Sequence, residues 1–467
     1  MKNHIHNLLQ NNPMSLKQYY IFFVLVVFAF AKAYSQETPS KVLSKEEAVS
    51  LMLENNFGIK LANNQVEISE NNTSILNADY LPTVTGNAGA NFDRTTSNTD
   101  FGGALNQEGV PRPDIEIVGA ETTRYNASIN LDYTLFDGLG RYYNYKQLKE
   151  QYNLTQLQAR ETIENTMLQL FSVYYEVARL KENVIILEEA LRVSKDREVR
   201  AQYQFEYGQV NKLQVLNAKV DITTDSINVL NARQNLQNAQ RDLNVVLNRD
   251  LENKFQADTT VTFVNKLLMD SHIEQALQNN VTLLQSEKDI MISDYQIKTA
   301  RALFLPTVGL TGSYGWNLSN NPASAFFPST TSTSNSLAAG ATLRWNLFDG
   351  GRSIIALKNA KIFRENQELA KEQLKQQVQR DIANAKGNYK NALAIYEMQT
   401  QNVRTNQDNF ERSQEQLKLG QISSIEFRQA QLNLLNAEVT KNAAKYTAKL
   451  AELQLLQLTG QLLNVAF

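Results

Sequence analysis

The sequence predicts a mixed α/β membrane protein made from one duplicated unit, with four transmembrane β-strands and long coiled-coil helices in each chain. Three observations support this fold class. Short motifs recur in the same order in both halves of the chain. Four stretches alternate apolar and polar side chains with a period of two. Two helical stretches continue without a break over a length that no compact domain requires.

The duplication is visible in paired motifs. LPTV at 81–84 returns at 305–308, and LFDG at 135–138 returns at 347–350. The second offset is shorter than the first by 12 residues, so a segment between the two motifs is shorter in the second copy. Because length differences collect in surface loops, we expect that segment to hold an exposed loop.

Residues 1–35 are predicted to be a signal peptide for export. An apolar run at 21–30 is flanked by Lys17 and Lys32, and small residues precede a cleavage position before Gln36. The run is too short for a spanning helix, which takes about 20 apolar residues. A retained membrane anchor is the alternative. No later apolar run is long enough to cross a bilayer as a helix.

The composition argues against an enzyme. The chain has no cysteine, and only His272 remains among its histidines once the signal is removed. This excludes disulfides and thiolate chemistry and argues against a histidine metal site. We predict no catalytic residues, no cofactor and no metal. The charge pattern shows no basic footprint, so we also predict no nucleic-acid partner.

The first structural repeat is predicted at 36–258 and the second at 271–467, joined by a linker at 259–270. Each has the order helix, strand, loop, strand, long helix, turn, helix. In the first repeat these elements are a helix from about Lys45 to Tyr80, strands at 83–94 and 123–136, a long helix at 139–206 and a helix at 211–248. In the second repeat they are a helix from about His272 to Phe304, strands at 307–318 and 336–348, a long helix at 352–419 and a helix at 423–460.

The junctions between helices and strands carry proline and aspartate. Pro82 and Pro306 end the first helix of each repeat, since proline disfavours helical geometry in the preceding residue and donates no backbone hydrogen bond. Asp137 and Asp349 follow the second strands, and aspartate is a favoured N-cap, so we predict that they cap the long helices. We assign the barrel–helix junctions to these four residues and to the glycines after the aspartates, Gly138 and Gly350.

The strand pattern fits two environments. One face of each strand is apolar, and the other carries Thr, Ser, Asn and Gly with few charges. A soluble sheet with an apolar core face is one possibility. A membrane barrel, apolar towards lipid and polar towards a watery lumen, is favoured by the strand lengths and by the polar face. Asp132 and Arg344 both fall on the polar face, whereas an arginine facing lipid would cost roughly 2–4 kcal/mol.

Four strands cannot close a barrel by themselves. About eight strands are the practical minimum, and open sheet edges are not tolerated in lipid. Several chains must therefore share one barrel. Two chains would give eight strands, and three would give twelve.

Each long helix would measure about 100 Å at 1.5 Å per residue. The helix after the first turn carries a heptad seam from Ala218 to Val246 and a second apolar stripe that includes Leu213, Leu216 and Ile227. Two seams predict a helix packed between two neighbours, as in the wall of a helical tube. An ordinary long antiparallel coiled coil is the alternative, which the helices alone do not exclude.

In this duplicated order, the features resemble those of the TolC-type outer-membrane efflux protein family. The resemblance rests on the LPTV and LFDG junctions and on glycine turns followed by Leu-Asn-Ala at 216–218 and 435–437. It implies a homotrimer with a twelve-stranded β-barrel in the outer membrane of a Gram-negative bacterium and a periplasmic α-helical barrel. It further implies a periplasmic adaptor protein and an inner-membrane pump of the RND or ABC type as partners.

The resemblance also assigns the periplasmic end of the tube. The family's acidic gate positions correspond here to Glu426, Gln429 and Gln214, so only Glu426 keeps a carboxylate. The tyrosine and arginine that close the family's entrance correspond to Leu417 and Ile422, so the closing contacts must differ. The turns implied to dock the adaptor are Gly208, Gln209, Val210, Gly420, Gln421 and Ile422.

The function that the resemblance implies is a passive exit duct for small toxic molecules, the outer-membrane component of a tripartite efflux system. An outer-membrane duct for type I protein secretion is the first alternative. A structural coiled-coil protein of the cell envelope with a soluble sheet is the second, and it would predict neither a pore nor a need for detergent.

Overall fold

The computed structural model describes residues 42–324 and 326–464. The predicted signal peptide at 1–35 lies outside the described residues. Within them the chain forms six strands, β1 (Val42–Leu43), β2 (Thr83–Thr99), β3 (Ile115–Phe136), β4 (Gln256–Ala257), β5 (Thr307–Asn321) and β6 (Thr330–Arg344). The α-helices of the same part are α1 (Lys45–Asn55), α2 (Phe57–Asn72), α3 (Gly140–Glu206), α4 (Lys212–Val246), α5 (Lys266–Glu274), α6 (Ala276–Asn279), α7 (Val281–Ala302), α8 (Arg352–Lys418) and α9 (Ser424–Leu458).

The longest elements occur in matched pairs. α3 and α8 have 67 residues each, which makes each rod about 100 Å long. They are followed by α4 and α9, with 35 residues each. The predicted combination of long paired helices with a small four-stranded sheet is confirmed.

The helical segment before each Leu-Pro pair is interrupted, which corrects the continuous helix predicted there. Asn56 ends α1 and begins α2 with extended backbone angles (φ −61°, ψ 128°). Its side-chain oxygen accepts hydrogen bonds from the amides of Gly58 and Ile59 at 2.8 and 3.3 Å. Asn280 has the same role between α6 and α7. Because the asparagine only caps a new helix, the apolar pattern continues on both sides of the break.

The four long strands form one antiparallel sheet in the order β2, β3, β5, β6, so β2 and β6 are its edges. The register aligns the apolar positions of all four strands on one face. Two successive apolar rows consist of Val84, Leu131, Gly312 and Ala339, and of Gly86, Ile129, Tyr314 and Leu337. The polar row between them consists of Thr85, Asn130, Ser313 and Ala338. The predicted alternation is therefore present, and the large apolar side chains are exposed in the single chain.

The strands are longer at the loop end than predicted. β2 extends to Thr99 and β3 begins at Ile115, so much of the segment between the predicted strands 83–94 and 123–136 continues the hairpin. A bulge between Thr95 and Ser97 shifts the register there. The bulge changes which side chains share a face, so the extension does not continue the period-two pattern.

β6 ends earlier than the predicted strand 336–348. β2 and β5 begin directly after Pro82 and Pro306, and the last residue of β6, Arg344, pairs with Thr307. Beyond Arg344 the described part of the chain offers β6 no further strand partner. Trp345 leaves the ladder, and its indole nitrogen donates to the Phe304 carbonyl at 3.1 Å.

The main hydrophobic core lies at the middle of the rods. Phe171, Tyr174 and Tyr175 of α3 are fully buried there. The Tyr174 hydroxyl donates to the Leu43 carbonyl at 2.7 Å and accepts from the Asp258 amide at 2.9 Å, which ties α3 to β1 and to the segment after β4. Burial raises the pKa of Tyr174 to about 12, so the hydroxyl stays protonated and continues to donate at neutral pH.

The two helices that follow the turns differ in how many sides are covered. α9 packs against both α8 and α3, whereas α4 packs mainly against α3. The predicted seam of α4 faces α3 and is largely buried, with Ala218, Val229 and Leu243 among its buried residues. The second stripe of α4 stays exposed at Leu213, Leu216, Val220, Ile227 and Leu230. One side of α4 therefore has no neighbour in the described part of the chain.

Candidate functional site

Both rods end in the same glycine turn. Gly208 and Gly420 have left-handed backbone (φ 72° and 71°), which other residues adopt only at a cost. After α3, the Gly208 amide donates to the Phe205 carbonyl at 3.0 Å, and the Gln209 amide donates to the Gln204 carbonyl at 2.8 Å. This pair of bonds is the Schellman ending of a helix, and α8 ends in the same way.

The turns form two exposed tips at the end of the helices farthest from the sheet. Among the six residues predicted to dock a partner, Gly208, Gln209, Gly420 and Gln421 are exposed, and Val210 and Ile422 are half-buried. Large apolar side chains are exposed beside them, namely Tyr207, Leu419 and Ile425. Clustered apolar side chains in water are typical of a surface that another protein covers.

Glu426 lies in the first turn of α9 and takes part in its N-cap. The Ser423 hydroxyl oxygen accepts from the Glu426 amide at 3.2 Å. One Glu426 carboxylate oxygen accepts from the Ser423 amide at 2.7 Å and from the Ser423 hydroxyl at 2.8 Å. The amide and hydroxyl of Ser423 hold the pKa of Glu426 below its usual range. The predicted gate carboxylate is therefore charged and exposed, and its position is fixed by the capping box.

Gln214 and Gln429 do not meet Glu426 within the chain. Gln214 lies in the first turn of α4, where its amide donates to the Asn211 side chain at 3.3 Å. The Gln429 side-chain nitrogen donates to the Asn433 side chain at 2.8 Å. Among the described residues, no hydrogen bond joins any two of these three side chains. A ring of gate residues would have to combine side chains from several chains.

A buried polar cluster that the sequence analysis did not single out lies behind the tips, and we call it the Arg428 network. It consists of Arg428 and Gln431 on α9, Asp221 and Asp225 on α4, and Ser194 and Arg197 on α3. Arg428 holds both carboxylate oxygens of Asp225, with Nη2–Oδ1 at 2.8 Å and Nη1–Oδ2 at 2.9 Å. The Ser194 hydroxyl donates to Asp225 at 2.6 Å.

The rest of the network pairs Arg197 in part, since its Nε and Nη1 are buried without a hydrogen-bond partner among the described residues. Arg197 forms an ion pair with Asp221, and burial lowers the pKa of Arg197. The Gln431 side chain donates to the Ala190 carbonyl at 2.9 Å. Asp225 is only 3% exposed, and a buried charge persists only when it is paired. The network therefore joins α9 of the second repeat firmly to α3 and α4 of the first.

One sequence signal pointed to this network. Asp225 occupies a position of the heptad seam of α4 that is otherwise apolar. A carboxylate at a core position requires a cation or several donors close by. Only the three-dimensional structure identifies the cation as Arg428, because the two residues lie 203 positions apart.

The two junction aspartates act from outside the long helices. Leu139 and Gly351 occupy the N-cap positions, which corrects the assignment of Asp137 and Asp349 as N-cap residues. The Asp137 side chain instead reaches forward and accepts from the Arg141 amide at 2.7 Å, and Asp349 serves α8 in the same manner. Two residues with left-handed backbone follow each aspartate and form a turn between strand and helix. This turn brings each aspartate carboxylate back to an amide of the first helical turn.

The two junction glycines have different surroundings. Both have left-handed backbone, with φ 69° at Gly138 and 71° at Gly350. A Cβ on Gly138 would lie 2.7 Å from the Ala302 carbonyl oxygen and 2.8 Å from the Leu305 Cβ. A Cβ on Gly350 would meet nothing within 4 Å. The first junction is therefore closed by the second repeat, and the second junction is open.

In the part of the chain that the structure describes, no group of three or more His, Cys, Asp and Glu side chains is arranged to hold a metal ion. Across the same residues, no helix combines the length and apolar character that crossing a bilayer requires.

Comparison with known proteins gives one consistent result. A family model described as outer membrane efflux protein matches residues 48–249 and 272–461. The outer membrane efflux protein BepC of Brucella suis biovar 1 (strain 1330) is 20% identical over 409 residues, which are 87% of this chain and 83% of BepC. The CmeC outer membrane channel of Campylobacter jejuni superposes with a TM-score of 0.67 at 18% identity, covering 90% of this chain and 86% of CmeC. The open state of the MtrE outer membrane channel of Neisseria gonorrhoeae gives 0.65 at 17% identity, covering 90% of this chain and 89% of MtrE.

Proposed function

The chain belongs to the outer membrane efflux protein family, and we propose that three copies of it form one passive exit duct for small toxic molecules. As a family member it is an outer-membrane channel component of a tripartite efflux system and extends into the periplasm. The proposal adds the cargo, the homotrimer, an adaptor protein at the turns, and an RND or ABC pump in the inner membrane.

The four-stranded sheet is the observation that carries the duct. Its apolar face is exposed, its opposite face is polar, and among residues 42–324 and 326–464 no strand covers either of its edges. Lipid tolerates an apolar face but not an open edge. Each unpaired backbone group at an open edge costs on the order of several kcal/mol in hydrocarbon, as other unsatisfied polar groups do. Three sheets joined edge to edge would remove every open edge and enclose a watery lumen.

The helices support the same assembly. Exposed apolar side chains lie on the first-repeat side of the chain, on α2 at Phe57, Leu61 and Ile68, and along the second stripe of α4. On the opposite side, Ile355 and Ile362 of α8 are exposed at a seven-residue spacing. Packing α8 of one chain against α2 and α4 of the next would cover both sets and close a tube of helices.

The open junction supports the same neighbour relation. Gly138 lies just after β3 and packs against Ala302. Ala302 lies just before β5, the strand that pairs with β3. The counterpart of Ala302 in the first repeat, Ala78, is already buried in its own chain, but Leu81, the counterpart of Leu305, is exposed beside the edge strand β2. Joining β6 to β2 of a second chain would bring Leu81 of that chain to Gly350, as Leu305 lies against Gly138 in the first junction.

We further propose that the Arg428 network holds the entrance closed. Its ion pairs bind α9 to α3 and α4 close to the glycine turns, and Leu417 and Ile422 supply no polar closing contact of their own. Adaptor contact at the exposed tips would shift the population towards a state in which this network is broken. Three Glu426 carboxylates, one from each chain, would then line the mouth.

Cells from which the gene has been deleted test the cargo. We expect the deletion strain to accumulate a fluorescent dye and to become sensitive to toxic compounds, and re-expression of the chain to reverse both effects. Normal dye efflux in the deletion strain, combined with loss of a polypeptide from the culture medium, would contradict small-molecule efflux and indicate a secretion duct.

A further inference from the structure

A cluster of tyrosines and lysines lies immediately below the sheet, and we call it the tyrosine–lysine collar. Its members are Tyr142, Tyr145, Lys146 and Lys149 on α3, and Tyr295 and Lys298 on α7. Each lysine nitrogen lies over a tyrosine ring: Lys146 over Tyr142 at 5.7 Å, Lys149 over Tyr145 at 4.6 Å, and Lys298 over Tyr295 at 4.8 Å. Cation–π contacts of this kind fix the ammonium groups without neutralising them.

The lysines of the collar keep their positive charge available. Among the described residues, no carboxylate lies within ion-pair distance of Lys146, Lys149 or Lys298. The nearby Glu150 pairs instead with Lys288 at 2.9 Å. Lys149 and Lys298 are also exposed. Lys146 interacts with Glu150 from beyond ion-pair distance, so the exposed ammonium groups of Lys149 and Lys298 contribute most to the attraction of this patch for an anion.

The collar lies at a defined depth relative to the sheet. β3 ends at Phe136 and α3 begins at Gly140, so Lys146 and Lys149 lie about 10–15 Å along the helix from its start. Lys298 lies about 6 Å before the end of α7 at Ala302. The polar headgroup zone begins where the hydrocarbon ends, and long lysine side chains reach several ångströms towards it. The lysines can therefore meet the headgroups of the periplasmic leaflet.

The collar faces outward from the helical tube. Lys149 and Met167 lie 18 residues apart, about five turns, so they share one face of α3. Met167 and Tyr174 on that face are buried in the core with β1. Elements that covered the inner face would fill the duct, so the covered face is the outer one. The opposite face of α3 carries the uncharged polar side chains of Asn144, Gln147 and Gln151.

We propose that the tyrosine–lysine collar binds the phosphate of anionic phospholipids in the periplasmic leaflet of the outer membrane. Tyrosine rings prefer the headgroup zone, and each lysine near an anionic surface contributes about 1 kcal/mol. An acidic protein partner would use the same charges, but the closeness of the collar to the membrane-spanning sheet favours lipid. The site is separate from the entrance and from the choice of cargo, and it requires only that the sheet spans the membrane.

Fluorescence of Trp345 provides the test, because the chain has only two tryptophans and Trp345 lies at the junction beside Phe304. A Trp316→Phe variant would be reconstituted into vesicles of phosphatidylcholine and phosphatidylglycerol, with either lipid brominated near its headgroup. Quenching of Trp345 by the brominated lipid measures how often that lipid occupies the site. We expect phosphatidylglycerol to bind at least about fivefold more tightly than phosphatidylcholine, because about 1 kcal/mol from one lysine corresponds to that ratio.

Charge removal identifies the residues responsible. In the same background, Lys146→Gln, Lys149→Gln and Lys298→Gln together should abolish the preference, and replacement of all three by Arg should retain it. The matched control changes three exposed lysines farther along the rods, Lys195, Lys375 and Lys390, to Gln and should also retain it.

Two outcomes would overturn the proposal. One is equal quenching by the two lipids in the unmodified collar. The other is a phosphatidylglycerol preference that persists after all three lysines are neutralised. Loss of efflux in the triple Gln variant without any lipid preference in the parent would indicate an acidic protein partner and would likewise exclude the lipid site. If the triple Gln variant does not assemble, the three single Lys→Gln variants replace it, and a phosphatidylglycerol preference that is unchanged in all three would overturn the proposal.

Discussion

At the scale of single residues, Asp225 is buried in a seam of apolar side chains and held by Arg428. Breaking a buried ion pair by removing one partner costs about 3–5 kcal/mol, because the other charge stays buried without compensation. The Arg428 network therefore stabilises the packing of α9 on α3 and α4 specifically. Any opening motion that moves α9 away from these helices must break it.

We expect Arg428→Met to open the entrance. The variant leaves Asp225 without its cation. It should destabilise the closed state by about 3–5 kcal/mol relative to an open state in which Asp225 reaches water. Planar-bilayer recordings should show higher conductance or a larger open fraction than the parent.

Two further variants make this measurement specific. Arg192→Met removes an arginine from the same end of α3 whose ion pairs with Glu189 and Asp196 are exposed, so it should leave the recordings unchanged. Adding Asp225→Leu to Arg428→Met removes both charges and should recover part of the stability lost in the single variant. Recordings of Arg428→Met that match those of the parent would remove the network from the gate.

Glu426 has two separable roles, in capping and as a gate charge. Glu426→Gln keeps an oxygen that accepts from Ser423 but removes the charge, whereas Glu426→Ala removes both. If three carboxylates line the mouth, both variants should weaken the block of the channel by divalent cations to the same extent. A block that is lost in the Ala variant alone would assign Glu426 to the cap.

The same block should resist acid. The amide and hydroxyl of Ser423 lower the pKa of Glu426, so the carboxylate stays charged below the pH at which glutamate ordinarily takes up a proton. The contribution of the Glu426 cap to the free energy of unfolding depends on pH in the same direction. It is fully present above the unfolded-state pKa and is lost as the pH falls through the lower folded-state pKa. Titration of the block in bilayers should give a lower midpoint in the parent than in Ser423→Ala, which lacks the hydroxyl donor, and equal midpoints would contradict the cap geometry.

Local patterns in the sequence predicted the residues whose role depends on the backbone. Gly208 and Gly420 were identifiable because glycine ends a helix in left-handed geometry. The Ser423-x-x-Glu426 pattern also signals a capping box, which the sequence analysis did not use. The partner of Asp225 could not be predicted, because contacts between distant segments depend on how the helices cross.

At the scale of elements, the open edges of the sheet and the uncovered sides of the helices require the same neighbour. Within the residues that the structure describes, β2 and β6 have no strand partner on one side, and α2, α4 and α8 expose apolar stripes. Burying a leucine or isoleucine is worth about 1.5–3 kcal/mol, so these stripes together would provide a strong interface.

Leu230→Asp on α4 should weaken the trimer. Leu230 belongs to the exposed stripe, and a charge there would be buried in each of three interfaces. Light scattering in detergent should show a shift towards monomer, whereas the neighbouring exposed Asn231→Asp should leave the mass unchanged. A trimer that tolerates Leu230→Asp would mean that this stripe does not form the interface.

The junction glycines give a second prediction at this scale. Gly138→Ala should destabilise the fold strongly, because its Cβ would meet the Ala302 carbonyl at 2.7 Å in addition to the strain of a positive φ. In an isolated chain Gly350→Ala would suffer only the strain, about 1–2 kcal/mol. In the trimer we expect both variants to lower the thermal unfolding temperature to a similar extent, and a clearly milder effect of Gly350→Ala would contradict contact with Leu81 of a second chain.

Elements defined by periodicity were predicted well, and elements defined by pairing were not. The faces of the strands followed from the period-two pattern, because one-residue shifts would exchange the faces. The end of β6 at Arg344 could not be predicted, since it depends on where β5 begins beside it. The breaks at Asn56 and Asn280 were missed because the apolar pattern continues across them.

At the scale of the whole molecule, the duplication specifies how chains should join. Within the chain, β3 of the first repeat pairs with β5 of the second, and Ile129 lies opposite Tyr314. Applying the same relation from the second repeat to the first repeat of a neighbour pairs β6 with β2 and sets Ala341 opposite Ala90. The sequence predicted that chains must share a barrel but left two or three chains open, because four strands per chain fit either number.

Cysteine cross-linking tests this assembly most directly, since the chain contains no cysteine of its own. In membranes, the double variant Ala90→Cys/Ala341→Cys should oxidise to a covalently closed trimer, because paired strand residues bring Cβ atoms within disulfide range. The control Ala90→Cys/Ala338→Cys should not, because position 338 faces the lumen side of β6. Covalent trimers from the first pair alone are the result that we predict. Monomers from both pairs, or a covalent species no larger than a dimer, would contradict a barrel shared by three chains.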